Sequence, residues 1–156
     1  MRIAGIAFAC FAISVAAAHA GDEPRTDAQK TALAKYVGSY ELAKFLKDPL
    51  VARELKHVVG AELKHLENNL SVMGPIALTG GTLSTDGNAP HMGGEENAVL
   101  CVDAGRNTVN AAMLSGGKVR VYSRQSSFDA LPACIKEWSA KWAKKPGDVV
   151  MVTAKK

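Results

Sequence analysis

The chain has 156 residues, 47% of them hydrophobic and 22% charged, with a formal net charge of +4. That length holds one domain with a core of its own and is too short for two. Its 19 basic and 15 acidic residues are interspersed apart from the pairs Lys144-Lys145 and Lys155-Lys156, and no basic stripe carries interleaved aromatics, which argues against nucleic acid as a partner.

At the N-terminus Arg2 precedes an apolar run from Ile3 to Ala18 that closes on Ala18-His19-Ala20 and is followed by the polar stretch Gly21 to Arg25. This is the pattern of a cleavable secretory signal: the run is short for a bilayer span and small residues occupy the two positions that a signal peptidase reads. Residues 1–20 are therefore expected to be removed between Ala20 and Gly21, leaving residues 21–156 as a single domain in the periplasm or the medium, with no membrane span. Lipidation would have to use Cys10, which lies inside the apolar run with too little of it upstream. Loss of Cys10 leaves Cys101 and Cys134 in an oxidising compartment, so one disulfide is the default expectation. Closing a loop of about thirty residues would contribute roughly 3 to 4 kcal/mol on the chain-entropy account. Two buried free thiols are the alternative.

Along the mature chain, Thr26 with Gln29 makes a capping box for a helix carrying Leu33, Tyr36, Val37 and Tyr40, with Gly38 as its break. A second helix starts at Asp48-Pro49, a cap followed by proline at the first helical position, and buries Val51, Leu55, Val58 and Val59. Gly60 interrupts it, and Leu63, Leu66 and Leu70 continue at helical spacing. From Gly74-Pro75 the period changes to two. Strands are expected at 76–79, 82–85, 97–102, 108–114 and 119–122, separated by glycine-bearing turns that make an antiparallel meander. A helix from about Asp129 to Lys145 carries Leu131, Cys134, Ile135, Trp138 and Trp142 on one stripe and ends at Pro146-Gly147, after which 149–152 can add an edge strand. Helices at both ends of a run of about five strands indicate an α+β domain with the helices packed on the sheet.

Few residues offer chemistry. Glu-Leu-Lys-His occurs twice, at Glu54 to His57 and Glu62 to His65, and a Glu-x-x-His pair shares one helix face as in di-iron bundles. Such pairs come from separate facing helices, however, and here they lie eight residues apart across Gly60, so an amphipathic helix surface accounts for the same letters. No nucleophile elbow, phosphate loop, paired-cysteine metal site or cofactor motif is present. Glu95 and Glu96 precede a strand and read as solvated. The expectation is a protein that is not an enzyme and holds no metal or cofactor.

The most unusual segment is the connection from Asp86 to Glu96, with Pro90 in its middle, glycines on both sides and His91 and Met92 near the tip; loops of that length in a compact domain are commonly functional. Ala89-Pro90-His91 in this loop, Glu95-Glu96-Asn97-Ala98-Val99-Leu100-Cys101-Val102-Asp103, Val109-Asn110-Ala111-Ala112-Met113-Leu114 and Gly117-Lys118-Val119-Arg120-Val121-Tyr122 together resemble the Ivy family, the periplasmic inhibitors of vertebrate (c-type) lysozyme. Tyr40 to Leu42, Phe45 to Pro49 and the helix after them are similar to that family's N-terminal helices.

The resemblance implies a binding protein whose loop enters the lysozyme cleft. In the family that loop has the form Cys-x-Pro-His-x-Cys, and its histidine meets the two catalytic carboxylates. Here Ala89, Pro90, His91 and Met92 match the interior, so His91 would have that role, while Asn88 and Gly93 stand where the family has cysteines. A glycosidase of this kind needs one protonated and one ionised carboxyl group, a division that an inserted imidazole disturbs. The partner would be a c-type lysozyme or a related wall-degrading glycosidase. The other reading is an Ivy-like envelope protein that has lost inhibition and serves a structural or interaction role.

Overall fold

The computed structural model describes residues 32–154. The expected signal peptide and the Thr26–Gln29 capping box lie outside the described residues. After a helical segment at 32–34 come helices α1 (Leu42–Lys47) and α2 (Pro49–Val59), a 3-10 turn (Gly60–Glu62) and helix α3 (Leu63–Asn69). Then follow strands β1 (Val72–Met73), β2 (Ala77–Thr79), β3 (Thr82–Asn88), β4 (Asn97–Asp103), β5 (Thr108–Ser115) and β6 (Lys118–Ser123). A 3-10 turn (Phe128–Ala130), helix α4 (Ala133–Trp142), a further 3-10 turn (Pro146–Asp148) and strand β7 (Val149–Thr153) complete the order.

Helix α2 begins where its sequence requires. The Asp48 side chain accepts a 3.0 Å hydrogen bond from the Leu50 amide, and Pro49 occupies the first turn, where no N–H is needed. Gly60 ends it with φ of 60°, a left-handed conformation that favours glycine. Val51, Leu55, Val58 and Val59 are buried as their spacing predicts, and Leu66 and Leu70 follow. Tyr36 is buried against Phe45 with ring centroids 5.2 Å apart, whereas Val37 and Tyr40, expected on the same stripe, are exposed because the helix gives way to a turn before Gly38.

The sheet order is β1-β3-β4-β5-β6-β7, with β2 also paired to β3. Strands β3 to β6 form the expected antiparallel meander, with register running from Thr82↔Asp103 to Asn88↔Asn97 between β3 and β4. Two features depart from about five strands. Strand β1 is only two residues long, too short to show alternation, and it shares an edge of β3 with β2 across the Gly74-Pro75 break. Strand β7 pairs parallel to β6, with α4 as the crossover that a parallel connection needs. The sheet thus has seven strands and remains mostly antiparallel, in an α+β fold.

Alternation puts the two faces of the sheet into two cores. Leu83, Ala98, Leu100, Val102, Val109, Ala111, Met113 and Tyr122 pack with Phe45, Val51, Leu55, Leu66 and Leu70 from the N-terminal helices. Val99, Cys101, Ala112, Leu114, Val119 and Val121 pack with Leu131, Ile135 and Trp138 from the other side. Each fully buried side chain of this size contributes roughly 1.5 to 3 kcal/mol. Helix α4 is shorter than the expected span from Asp129 to Lys145: Leu131 and Pro132 are extended, as the residue before a proline tends to be, so the helix starts at Ala133.

Two tertiary links tie these layers. Cys101 and Cys134 form the expected disulfide, joining β4 to α4. Asp48 accepts from the Tyr36 hydroxyl at 3.0 Å and pairs with Lys35 at 3.0 Å, so one nearly buried carboxylate caps α2 and holds the leading segment. Burial pushes the Asp48 carboxyl up, but the Leu50 amide, Lys35 and Tyr36 outweigh it and leave its pKa lowered.

The Cys101→Ala, Cys134→Ala double variant is expected to lose roughly 3 kcal/mol in urea unfolding, and reductant should lower wild-type stability alone. Asp48→Ala should cost roughly 2 to 3 kcal/mol, through the lost cap and the loss of the nearer acceptor of the Tyr36 hydroxyl, which keeps only the Lys44 carbonyl at 3.3 Å. Because the Asp48 pKa is depressed on folding, its contribution is present above the unfolded value near about 4 and lost as pH falls through the lower folded value. Acid unfolding of wild type and Asp48→Ala should converge there.

Candidate functional site

The loop after β3 is shorter than the connection from Asp86 to Glu96 suggested, because the β3–β4 ladder runs on to Asn88↔Asn97 and leaves residues 89–96. Gly87 serves the other edge of β3: a Cβ there would come within 2.5 Å of the Val72 carbonyl oxygen and 2.9 Å of Met73 Cα, so only glycine lets β1 lie so close to β3.

Within the loop the chain folds on itself. The Ala89 amide donates to the Glu96 carbonyl at 2.9 Å and closes the neck. The Met92 amide donates to the Ala89 carbonyl at 3.0 Å, a turn with Pro90 at its second position and His91 at its third with φ of 61°. Proline followed by a positive φ is the type II arrangement, and histidine is among the non-glycine residues that tolerate it best. A second turn follows, with the Glu95 and Glu96 amides donating to the Met92 carbonyl at 3.0 and 2.9 Å, and the Gly94 amide donating to Asn97 Oδ1 at 2.7 Å. Ala89 is buried under the turn, while Pro90, His91, Met92 and Gly93 are exposed. Asn88 donates through Nδ2 to the Ala89 carbonyl at 2.7 Å, and a Cβ on Gly93 would stand 3.8 Å from Asn88 Cγ. Asn88 and Gly93 therefore lie against each other, within the reach of a short covalent bridge.

Glu96 ties the loop to the body. Its Oε1 accepts from Ser115 Oγ at 2.6 Å, and its Oε2 takes hydrogen bonds from His65 Nε2 at 2.8 Å and Asn69 Nδ2 at 3.0 Å. Glu96 is thus no solvated partner of Glu95, which is exposed; it is half-buried between α3 and the end of β5. His65 Nδ1 lies 3.3 Å from Glu62 Oε2, so each ring nitrogen faces a carboxylate and both donate when the ring is protonated. The hydrogen bond to Glu96 raises the His65 pKa against the effect of burial, and Glu62 adds to it. Burial pushes the Glu96 carboxyl up, but Ser115, His65 and Asn69 more than compensate and its pKa is lowered.

The two Glu-x-x-His pairs do not converge. Glu54, expected on an amphipathic surface, is buried and paired with Arg124, whose Nε meets Oε1 and whose Nη2 donates to Oε2 at 2.8 Å; His57 is exposed. Among the described residues no group of three or more His, Cys, Asp or Glu side chains could hold a metal ion, and no helix is long and apolar enough to cross a membrane. What sequence reading missed is the set His65, Asn69, Glu96 and Ser115. The only sequence signal was the Glu62-x-x-His65 pair, since the other members lie 27 and 19 residues away from Glu96 and no local pattern links them.

Neither the curated proteins nor the solved structures contain a match to this chain. A model of the protein family described as Inhibitor of vertebrate lysozyme (Ivy) does match, over residues 50–145, more than half of the chain, from the first turn of α2 to just beyond α4. The match covers most of both cores, the disulfide and the whole 89–96 loop with its anchor. On that match the chain belongs to the Ivy family, the inhibitors of vertebrate lysozyme.

Proposed function

We propose that this protein, exported after cleavage between Ala20 and Gly21 and acting as a single domain of residues 21–156, blocks the active-site cleft of a c-type lysozyme with the 89–96 loop. The observation that carries this reading is the exposed His91 on a turn closed at its neck by the Ala89–Glu96 hydrogen bond. A protruding imidazole on a short, internally bonded turn suits a cleft lined by two carboxyl groups, because it can donate to them while Pro90 and Met92 fill the space that sugar would occupy. Nothing has to be transformed; inhibition needs only that the plug enters and stays. Much of the ordering cost of such a loop is met before binding, which preserves affinity.

The charge around the loop fits the same partner class. Glu95 and Glu62 are exposed beside it, giving a local negative rim on a chain whose net charge is positive. A basic enzyme would be drawn to that rim and not to the protein as a whole.

Titration of the purified protein against a c-type lysozyme digesting cell wall should give dose-dependent inhibition, and His91→Ala should weaken it by about 2 kcal/mol or more, roughly thirtyfold in Kd. Alanine tolerates the positive φ of His91 less well than histidine does, so His91→Asn, which tolerates it as well, is run beside it, and a matching loss there reports the imidazole. Absence of inhibition with the protein in large excess, or full inhibition by His91→Ala, would sink the plug mechanism.

A further inference from the structure

We propose that Glu96 is the positioning residue of the loop: its carboxylate, held by His65, Asn69 and Ser115, fixes the neck in the shape that presents His91, in place of a covalent bridge between positions 88 and 93. This rests on the reading of the loop as the inhibitory element. The geometry is specific. Glu96 supplies the backbone carbonyl that closes the neck to Ala89, and the same residue sends its side chain into three donors from two other elements. Asn69 is fully buried, so its amide orientation is set by the core and passes that constraint to the carboxylate. No other loop residue bonds through its side chain to a helix or to β5 among the contacts of the described residues, and the tip hangs on Glu96 and Asn97. Hydrogen bonds to an ionised carboxylate are the strong kind, each worth more than a neutral one.

A consequence is that residues far from the tip control the tip. His65 faces Glu62 from the 3-10 turn and Glu96 from the loop, and on β6 Tyr122 lies within electrostatic reach of both Glu62 and Arg120. The His65 pKa is raised on folding, so its contribution is complete below the ordinary imidazole value of about 6.5 and is lost as pH rises through the higher folded value. The Glu96 pKa is lowered, so its contribution is complete above the ordinary carboxylate value of about 4.3 and is lost as pH falls through the lower folded value. The anchor is complete between the two.

The test compares wild type, Glu96→Gln, His65→Gln and Glu96→Gln carrying Asn88→Cys and Gly93→Cys, each by lysozyme affinity and by amide hydrogen exchange. Glu96→Gln should weaken binding by about tenfold or more and speed exchange at Ala89 and Met92, while Leu100 in β4 stays protected. Oxidising the added cysteine pair should recover both properties, and reductant should remove the recovery, judged against Glu96→Gln under the same reductant. His65→Gln keeps a donor to Glu96 without titrating, so the weakening expected of wild type as pH rises through the folded imidazole value should flatten in it. Unchanged affinity and unchanged loop exchange in Glu96→Gln would overturn the proposal, as would losses that the cysteine pair fails to reverse. If wild type does not bind lysozyme at all, the proposed function fails, and the exchange measurements alone still decide whether Glu96 holds the loop.

Discussion

Strand β4 is buried on both of its faces, and everything at the loop depends on that. Ala98, Leu100 and Val102 face the N-terminal helices while Val99 and Cys101 face α4. Slipping the register by one residue would exchange the two sets, aim Cys101 away from Cys134 and expose or overfill both cores at once. Asn97, the first residue of β4, is therefore placed by the whole core, and through its pairing with Asn88 it places the other end of the loop as well. The neck of an eight-residue excursion is thus as fixed as the centre of the sheet, and only the tip needs local devices.

Those devices are non-covalent, and magnitudes show why that can suffice. A disulfide across about six residues removes little freedom from the unfolded chain, roughly 2 kcal/mol on the chain-entropy account. A carboxylate with three donors gains roughly 1.5 to 3 kcal/mol for each bond before the cost of taking the charge out of water is subtracted. The two routes differ in what perturbs them: a disulfide answers to redox conditions, whereas Glu96 answers to proton activity and to the donors around it.

Much of the fold could be read from the sequence because its signals were local. The Asp48-Pro49 start, the Gly60 break, the apolar period of α2, the apolar run of β4 and the turn glycines between β4, β5 and β6 are each contained within a few residues and found where expected. The stripe of α4 was right in its buried members although Pro132 moved its start. What escaped was non-local. Two residues of β1 carry no period, and the parallel pairing of β7 is a fact about where α4 returns the chain. The candidate loop and His91 were visible as a long Pro- and Gly-bearing connection and through a family likeness that the family match over residues 50–145 supports. The Glu96 anchor was not, because its donors come from His65, Asn69 and Ser115, whose only common property is position in space. Glu54 shows the same lesson from the other side: a letter pattern placed it on a solvated face, and Arg124, 70 residues away, makes it part of the structure.

Charge at the loop end follows the same logic of local placement against global sum. The chain is net positive, which by itself would repel a basic enzyme. Lys118, at the turn after β5 and so near Ser115, is held by Asp148 at 2.8 Å, which neutralises a positive charge close to the loop. The Lys118 neighbour holds the Asp148 pKa down, so this neutralisation persists through the neutral range and fades only in acid. Glu62 and Glu95 remain exposed beside it while the Lys144-Lys145 pair sits beyond α4. At physiological salt, fields decay over about 8 Å, so an approaching protein responds to the face it meets and not to the total. A chain with a positive sum can in this way present carboxylates at one place on its surface, and Glu95 does so in the loop that carries His91.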